Sequence, residues 1–114
     1  MLIVDRGLLN TATSINGGVD LAITQGGKKY TFGYSDKNVF TGQIEDMSRL
    51  FEDESVFNEN IGYWDTGNVT TMRLMFRDAR SFNQDIGGWD TGNVTRMRSM
   101  FIGASAFNND ISGW

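Results

Sequence analysis

The sequence predicts an α+β repeat solenoid of about three 25-residue coils with an N-terminal β-hairpin cap. One long motif recurs at a fixed 25-residue interval, which is typical of stacked repeat proteins. Within each copy, apolar residues recur at the spacing of one helix face. Nearer the N-terminus, two alternating segments flank a glycine pair, a pattern typical of a β-hairpin.

The 25-residue period runs without insertion from residue 42 to residue 114. We call its units repeat 1 (42–66), repeat 2 (67–91) and repeat 3 (92–114). Four aromatic or aliphatic columns are kept in all three repeats, namely Phe51/Phe76/Phe101, Phe57/Phe82/Phe107, Ile61/Ile86/Ile111 and Trp64/Trp89/Trp114. We expect these columns to form the core, because no single repeat could bury its own apolar face.

Each repeat is predicted to contain one short helix and one short strand. In repeat 2, apolar residues stand at i, i+3, i+4 and i+7 from Met72 to Ala79, which predicts about two helical turns. A helix this short needs packing to hold it. The segment from Phe82 to Ile86 is predicted to be a strand, and turns rich in Gly, Asp and Asn close the coil.

The N-terminal segment is predicted to hold a hairpin. Residues 19–24 and 29–34 alternate at period two, and Gln25-Gly26-Gly27-Lys28 between them is turn-like. A further short strand is expected at Leu2-Ile3-Val4.

The hairpin is in register with the repeats, since Phe32 stands 25 residues before Phe57. We therefore expect residues 1–41 to form an N-terminal cap with the hairpin and a degenerate coil. Residues 42–114 would form the solenoid. Terminal coils of such stacks are usually atypical, because they cover an apolar end.

Composition excludes several classes of function. The 114 residues include no Cys and no His, so disulfides, thiolate metal sites and the commonest general base are absent. No nucleophile–base pair is evident, and we expect no catalysis. The net charge of −4 argues against nucleic acid as a partner. No apolar run is long enough to insert in a membrane, and Met1 to Arg6 is too short for a secretory signal.

The repeats resemble a known family. Residues 72–97 carry the pattern Met-Arg-x-Met-Phe-x-x-Ala-x-x-Phe-Asn-x-Asp-Ile-x-x-Trp-Asp-Thr-x-Asn-Val-Thr-x-Met in full, and repeat 3 follows it as far as Trp114. This is similar to the 25/26-residue repeat of BspA-like, leucine-rich-repeat-related bacterial surface proteins, found in mycoplasma lipoproteins, cell-wall adhesins and some phages. The resemblance covers residues 42–114 and implies a right-handed, leucine-rich-repeat-like solenoid, usually extracellular, used for adhesion or protein binding. Glu54 departs from the pattern, where repeats 2 and 3 have Ala.

Two recurring columns have a structural and a functional interpretation. An asparagine follows the first Phe of each predicted strand, and stacked asparagines would form a structural ladder by bonding the backbone of tight turns. The alternative is a polar ligand site. The tryptophan column belongs to the predicted core, with a sugar-stacking surface as the alternative. The predicted ladder residues are Asn58, Asn83 and Asn108.

The aspartates of the turns offer one candidate metal site. Short Asp-Thr-Gly-Asn turns supply too few oxygens for Ca²⁺ unless neighbouring coils combine theirs. We interpret these aspartates as turn residues, with a stacked Ca²⁺ site as the alternative, and expect no other cofactor. The four aspartates in question are Asp65, Asp85, Asp90 and Asp110.

Charge is distributed unevenly along the stack. Repeat 1 has seven acidic side chains against one arginine, a net charge of −6. Repeat 2 is neutral, with three of each sign, and repeat 3 is +1, with two arginines against one aspartate. Glu52 stands one repeat before Arg77, so we expect these two to pair. The candidate interaction surface comprises Glu59, Tyr63, Arg73, Arg77, Arg80, Gln84, Arg96, Arg98, Asn109 and Trp114.

Two functions fit this surface. The first is a binding module for a protein or glycan on a cell surface. The second is a structural subunit of a virion or extracellular filament. Its copies would stack head-to-tail through the uncapped end at Trp114, because an open coil exposes apolar surface and unpaired backbone. The location would be extracellular or at the cell surface, or in a virion, with no signal peptide visible in the sequence.

Overall fold

The computed structural model describes residues 1–12, 21–32 and 39–114. Regular secondary structure within them is confined to the first 40 residues. The elements are β1 (Leu2–Ile3), α1 (Arg6–Leu9), β2 (Ala22–Gln25), β3 (Lys28–Thr31) and β4 (Val39–Phe40). The three repeats consist of consecutive turns and extended segments.

The strands pair into two small two-stranded sheets. In the first, β1 and β4 are parallel, with Leu2 opposite Val39, and the amide of Val4 continues the pairing to the carbonyl of Phe40 at 3.0 Å. A strand at Leu2–Ile3 is therefore present, one residue shorter than predicted.

The second sheet is the hairpin of β2 and β3, which pair antiparallel from Ala22 opposite Thr31 to Gln25 opposite Lys28. Its turn is made by Gly26 and Gly27, with φ of 60° and 77°. L-residues with a side chain rarely adopt such values, so this glycine pair is what allows the tight turn. The outer ends of the two predicted strands, residues 19, 20, 33 and 34, lie outside the described residues.

Helix α1 lies in a segment that the sequence left unassigned. It spans four residues from Arg6, and its N-cap is Asp5, whose carboxylate accepts a hydrogen bond from the amide of Leu8 at 2.7 Å. This is an ordinary N-cap. The cap fixes the position of Arg6, which contacts repeat 1 as described below.

The repeats stack through backbone hydrogen bonds that run mainly in one direction. Alternate amides of repeat 1 donate to carbonyls of repeat 2, and the same pattern joins repeat 2 to repeat 3. One bond in each interface runs the other way, from Thr70 to Glu45 and from Thr95 to Thr70. The donors toward the following repeat are Met47, Arg49, Phe51 and Asp53 in repeat 1, and Met72, Leu74, Phe76 and Asp78 in repeat 2.

The helix predicted in each repeat is absent from the described residues, and this prediction is wrong. Between Met72 and Ala79 the alternate amides bond to repeat 3 at 2.8–3.0 Å, so they are not available to carbonyls four residues back. Leu74 and Asp78 have positive φ, 58° and 57°, which a right-handed helix excludes. The apolar side chains at i, i+3, i+4 and i+7 still face the core, because consecutive turns keep them on one side.

The strand predicted from Phe82 to Ile86 is also absent. Neighbouring repeats are joined here by asparagine side chains, as when the amide of Asn83 donates to Oδ1 of Asn58 at 2.9 Å. Within the repeats, β-type backbone pairing is limited to single bridges, from Asp46 to Thr71 and from Thr71 to Arg96.

The predicted fold class, an α+β repeat solenoid of leucine-rich-repeat type, is therefore wrong. The described part of the chain has one four-residue helix and two two-stranded sheets, and nearly all the rest is turn and irregular structure. The helix–strand unit that defines that class does not form.

One hydrophobic core runs through the described chain, from Val4 and Leu9 to Met100. Equivalent rings of adjacent repeats stack nearly parallel, from 5.5 Å between the centroids of Phe51 and Phe76 to 6.5 Å for Trp64 and Trp89. In repeats 1 and 2 the aromatic columns are buried, whereas in repeat 3 they are half-buried. The apolar columns of the sequence thus form the core, and each repeat is covered by the next.

Candidate interaction surface

A groove lined by arginines crosses all three repeats on the surface formed by their turns. Its volume is about 330 Å³. Four arginines line it, together with Leu74, Ser99 and Ile102. We call it the arginine groove, and its arginines are Arg49, Arg73, Arg77 and Arg98.

Two of the four arginines share one carboxylate. Glu52 lies 3.1 Å from Arg49 of its own repeat and 3.5 Å from Arg77 of the next. The predicted pairing of Glu52 with Arg77 is therefore confirmed. Arg77 also lies 3.6 Å from Asp78. These ion pairs neutralise part of the groove, although pairs this exposed stabilise the fold by only about 0–1 kcal/mol.

The other two arginines of the groove, Arg73 and Arg98, form no ion pair among the described residues. Both side chains are exposed. Their backbones are fixed, because the carbonyl of Arg73 accepts from Arg49 at 2.9 Å and that of Arg98 accepts from Leu74 at 3.0 Å. The groove therefore holds two uncompensated cations on a backbone that is already positioned.

Two further arginines of the candidate surface lie outside the lining of the groove. Arg80 is exposed and lies 3.7 Å from Asp78. Arg96 is exposed and forms no ion pair within the described residues. The structure therefore brings Arg73, Arg77 and Arg98 together but not Arg80 and Arg96.

Several candidate interaction residues make contacts within the molecule. Gln84 donates to the backbone carbonyl of Asn58 at 2.9 Å, and Asn109 donates to Oδ1 of Asn83 at 2.8 Å. The hydroxyl of Tyr63 donates to the carbonyl of Phe32 at 2.7 Å. These three side chains and Glu59 are half-buried. They contribute to the packing of neighbouring repeats, which leaves them less accessible than the arginines.

The asparagine column forms a chain of hydrogen bonds between repeats. Oδ1 of Asn58 accepts from the amide of Asn83 at 2.9 Å, and Oδ1 of Asn83 accepts from the amide of Asn108 at 2.8 Å. Asn58 and Asn83 thus each bind the backbone of the repeat that follows. These bonds use the Oδ1 atoms of both side chains.

The four turn aspartates bond to their own turns. Asp65, Asp85 and Asp90 each accept a hydrogen bond from the amide of the glycine two residues later, at 2.9–3.0 Å. Asp110 accepts from the amide of Ser112 at 2.9 Å, and this bond lowers the pKa of its carboxyl. Within the described ranges, no group of three or more acidic side chains is placed to hold a metal ion.

Among the described residues, repeat 3 is covered by a neighbouring repeat on one side only. Phe101, Phe107 and Trp114 are half-buried, whereas their counterparts in repeat 2 are covered by repeat 3. Trp114 stacks on Trp89 with centroids 6.3 Å apart, and its indole N–H donates to the carbonyl of Ile86 at 3.2 Å. Four amides here correspond to the repeat 2 donors but have no acceptor among the described residues, and they belong to Met97, Ser99, Phe101 and Gly103.

Arg6 covers the side of repeat 1 that faces away from repeat 2. Its Nη1 donates to the carbonyl of Ser48 at 2.8 Å and to that of Asp46 at 3.2 Å. In repeats 2 and 3, the equivalent carbonyls accept from backbone amides. Partial burial lowers the pKa of the Arg6 guanidinium, against the opposing effect of Asp46 at 3.8 Å. Arg6 thus takes the place of the amides that a preceding repeat would supply.

A family model described as "Mycoplasma protein of unknown function, DUF285" matches residues 28–114. The chain belongs to this family. The predicted relation to mycoplasma repeat proteins is thereby confirmed at the level of the family. Comparisons with curated proteins and with solved structures found no match. Among the residues that the structure describes, no helix is long and apolar enough to cross a membrane.

Five residues of these surfaces were not among the predicted candidates. Arg49, Leu74, Ser99 and Ile102 line the groove, and Arg6 covers one side of repeat 1. Arg49 and Ser99 share a column with Leu74, so no repeated residue type marks that position. The isolated Arg6 lies 42 residues from the serine whose carbonyl it contacts, and no sequence pattern links them.

Proposed function

We propose that the chain is a non-catalytic binding module, exposed at a cell surface, that holds an acidic protein or glycan in the arginine groove. The arginine groove carries this proposal. Two exposed guanidinium groups without carboxylate partners, on a fixed backbone, suit the capture of carboxylate, sulfate or phosphate groups. The net charge of the chain is −4, so this basic surface is local.

The family match supports the location. Repeats of this pattern resemble those of BspA-like surface proteins, including mycoplasma lipoproteins and adhesins, and the chain belongs to a mycoplasma family. Both support a surface-associated location, and the resemblance alone supports an adhesive role. Antibody labelling of intact producing cells tests the location, since an internal protein would be labelled only after the cells are made permeable.

Binding to cells tests the function. The labelled full chain should bind cultured cells in a saturable way, and excess unlabelled chain should compete. Treatment of the cells with proteases or with glycan-degrading enzymes then separates a protein partner from a glycan partner. A globular control protein of the same net charge measures adsorption. If the chain binds no better than this control, the proposed function is wrong.

A second candidate function is a structural subunit of a virion or extracellular filament, and the exposed face of repeat 3 favours it. Half-buried aromatic rings and unpaired amides form a surface that a further stacked segment would cover. Analytical ultracentrifugation over a range of concentrations tests this function. Assemblies that grow with concentration would support it, whereas a monomer at all concentrations would contradict it.

A further inference from the structure

We propose that Arg73, Arg98 and Ser99 form a binding site for one tetrahedral oxyanion, a sulfate or phosphate group, which bridges repeats 2 and 3. The proposal rests on the proposed function, because it names the chemical group that the arginine groove would hold. It places the ligand at the two arginines that lack carboxylate partners and leaves the part of the groove around Glu52 to the ion pairs already present.

The repeat register places the two arginines side by side. Arg73 and Arg98 stand at equivalent positions, 25 residues apart, in adjacent repeats. Both residues line the same groove. Their like charges repel each other there, and an anion between them would reduce that repulsion.

The neighbouring column shows how this structure compensates charge elsewhere. Glu52 and Arg77 occupy one column of adjacent repeats and lie 3.5 Å apart. In the column of Arg73 and Arg98, repeat 1 has Ser48 instead of an acid. The chain thus supplies a carboxylate to Arg77 but none to Arg73 and Arg98. Arg73 and Arg98 therefore remain available to an external anion.

Ser99 adds donors at the end of the arginine column. Neither its amide nor its hydroxyl has an acceptor among the described residues, and Ser99 lines the same groove as both arginines. An arginine fork engages two oxygens at once. Two forks and a serine therefore suit a group with three or four oxygens better than a carboxylate with two.

A titration followed by NMR tests the site on the intact chain. Sodium sulfate, sodium phosphate and sodium acetate are added separately at equal ionic strength, with chloride as the reference. We expect sulfate and phosphate to shift the side-chain Nε–H signals of Arg73 and Arg98 and the amide of Ser99, with saturation. Acetate should shift them less. Equal, unsaturable shifts with all four salts would overturn the proposal.

Variants with matched charge distinguish the site from general attraction. Arg73→Gln/Arg98→Gln removes two charges from the groove, and Arg80→Gln/Arg96→Gln removes two charges outside it. The first variant should bind sulfate at least about tenfold more weakly, since charge-assisted bonds are lost. The second should bind as the parent chain does. Equal weakening by both variants would contradict the site.

A sulfated oligosaccharide identifies the source of the oxyanion. Heparin-derived fragments that bind more tightly than free sulfate, and shift the same signals, indicate a sulfated glycan. Free ions alone indicate a small anion, and either result supports the site. If the chain binds cells but sulfate neither competes nor shifts these signals, only this proposal fails. If sulfate binds at Arg73 and Arg98 but the chain does not bind cells, only the proposed function fails.

Discussion

Gly87 and Gly88 differ sharply in their surroundings although they are neighbours in one turn. A Cβ atom on Gly87 would stand 2.5 Å from the backbone carbonyl oxygen of Asp110 in repeat 3. A Cβ atom on Gly88 would meet nothing within 4 Å. Only the first glycine is required by the close approach of two repeats.

Gly87→Ala is therefore expected to destabilise the chain by about 1–3 kcal/mol, because backbone must move to admit the methyl group. Gly88→Ala, the matched control, should change the free energy of unfolding little. Urea unfolding of both variants checks this. Equal stability of the two would show that repeats 2 and 3 are less closely packed than in this structure.

Glu54 stands where repeats 2 and 3 have alanine, and it bears a charge near a buried column. Burial raises the pKa of its carboxyl above the ordinary 4.5, and the charge of Asp53 adds to this. The folded state therefore binds the proton more tightly than the unfolded state. The charged form lowers stability above the folded pKa, and this cost disappears as the pH falls below 4.5.

Glu54→Ala is expected to raise the free energy of unfolding near neutral pH and to give a smaller gain at about pH 3.5, where the unfolded carboxyl is also largely protonated. Unfolding curves at the two pH values measure the difference. Glu45→Ala removes the same charge from an exposed position of repeat 1 and is the control. A gain that does not depend on pH would contradict the role of the Glu54 charge.

At the scale of elements, helix α1 places Arg6 against the side of repeat 1 that faces away from repeat 2. Arg6 satisfies two carbonyls at the end of repeat 1 with one guanidinium group. We expect Arg6→Met, which keeps the aliphatic stem, to destabilise the chain by about 1–2 kcal/mol through loss of these charge-assisted bonds.

Chemical denaturation of the Arg6→Met variant measures this effect. Lys29→Met removes the same charge from an exposed site in β3 and is the control. If both variants lower the free energy of unfolding equally, the effect of Arg6 comes from net charge alone. Its hydrogen bonds to the two carbonyls would then contribute nothing.

The sequence predicted the apolar columns and the hairpin but not the elements within a repeat. The spacing from Met72 to Ala79 is compatible with a helix and with consecutive turns, since both place these side chains on one face. The choice depends on whether amides bond within the repeat or to the next one, which is a tertiary effect. The column of Leu74 holds Arg and Ser in the other repeats, so no glycine marks its positive φ.

The candidate surface was predictable to a similar extent. The arginines could be named because charged side chains interrupt the repeating pattern, and Arg77 could be paired with Glu52 by counting columns. The sequence could not show that Gln84, Asn109 and Tyr63 bond to neighbouring repeats. Their columns vary in residue type, so no repeated pattern indicates these internal bonds.

At the scale of the whole molecule, protection from solvent should fall from repeat 2 to repeat 3. Amides of Leu74 and Phe76 donate to repeat 3, while the equivalent amides of Ser99 and Phe101 have no acceptor among the described residues. We expect much slower hydrogen exchange for the first pair than for the second. NMR exchange measurements compare them within one sample. Similar rates would mean that the end of repeat 3 is covered in solution.

The hydrogen bonds between repeats, which run mainly one way, also give the stack a net dipole. Four amide–carbonyl bonds in each interface point the same way and one points back, so most of their peptide dipoles add along the stack. The face of repeat 3 whose amides lack acceptors among the described residues is therefore the positive pole, and Arg6 lies at the negative pole. Two copies of this chain joined symmetrically through that face would oppose donors to donors. A contact between copies through that face would therefore be asymmetric, and any polymer built by it would have two chemically distinct ends.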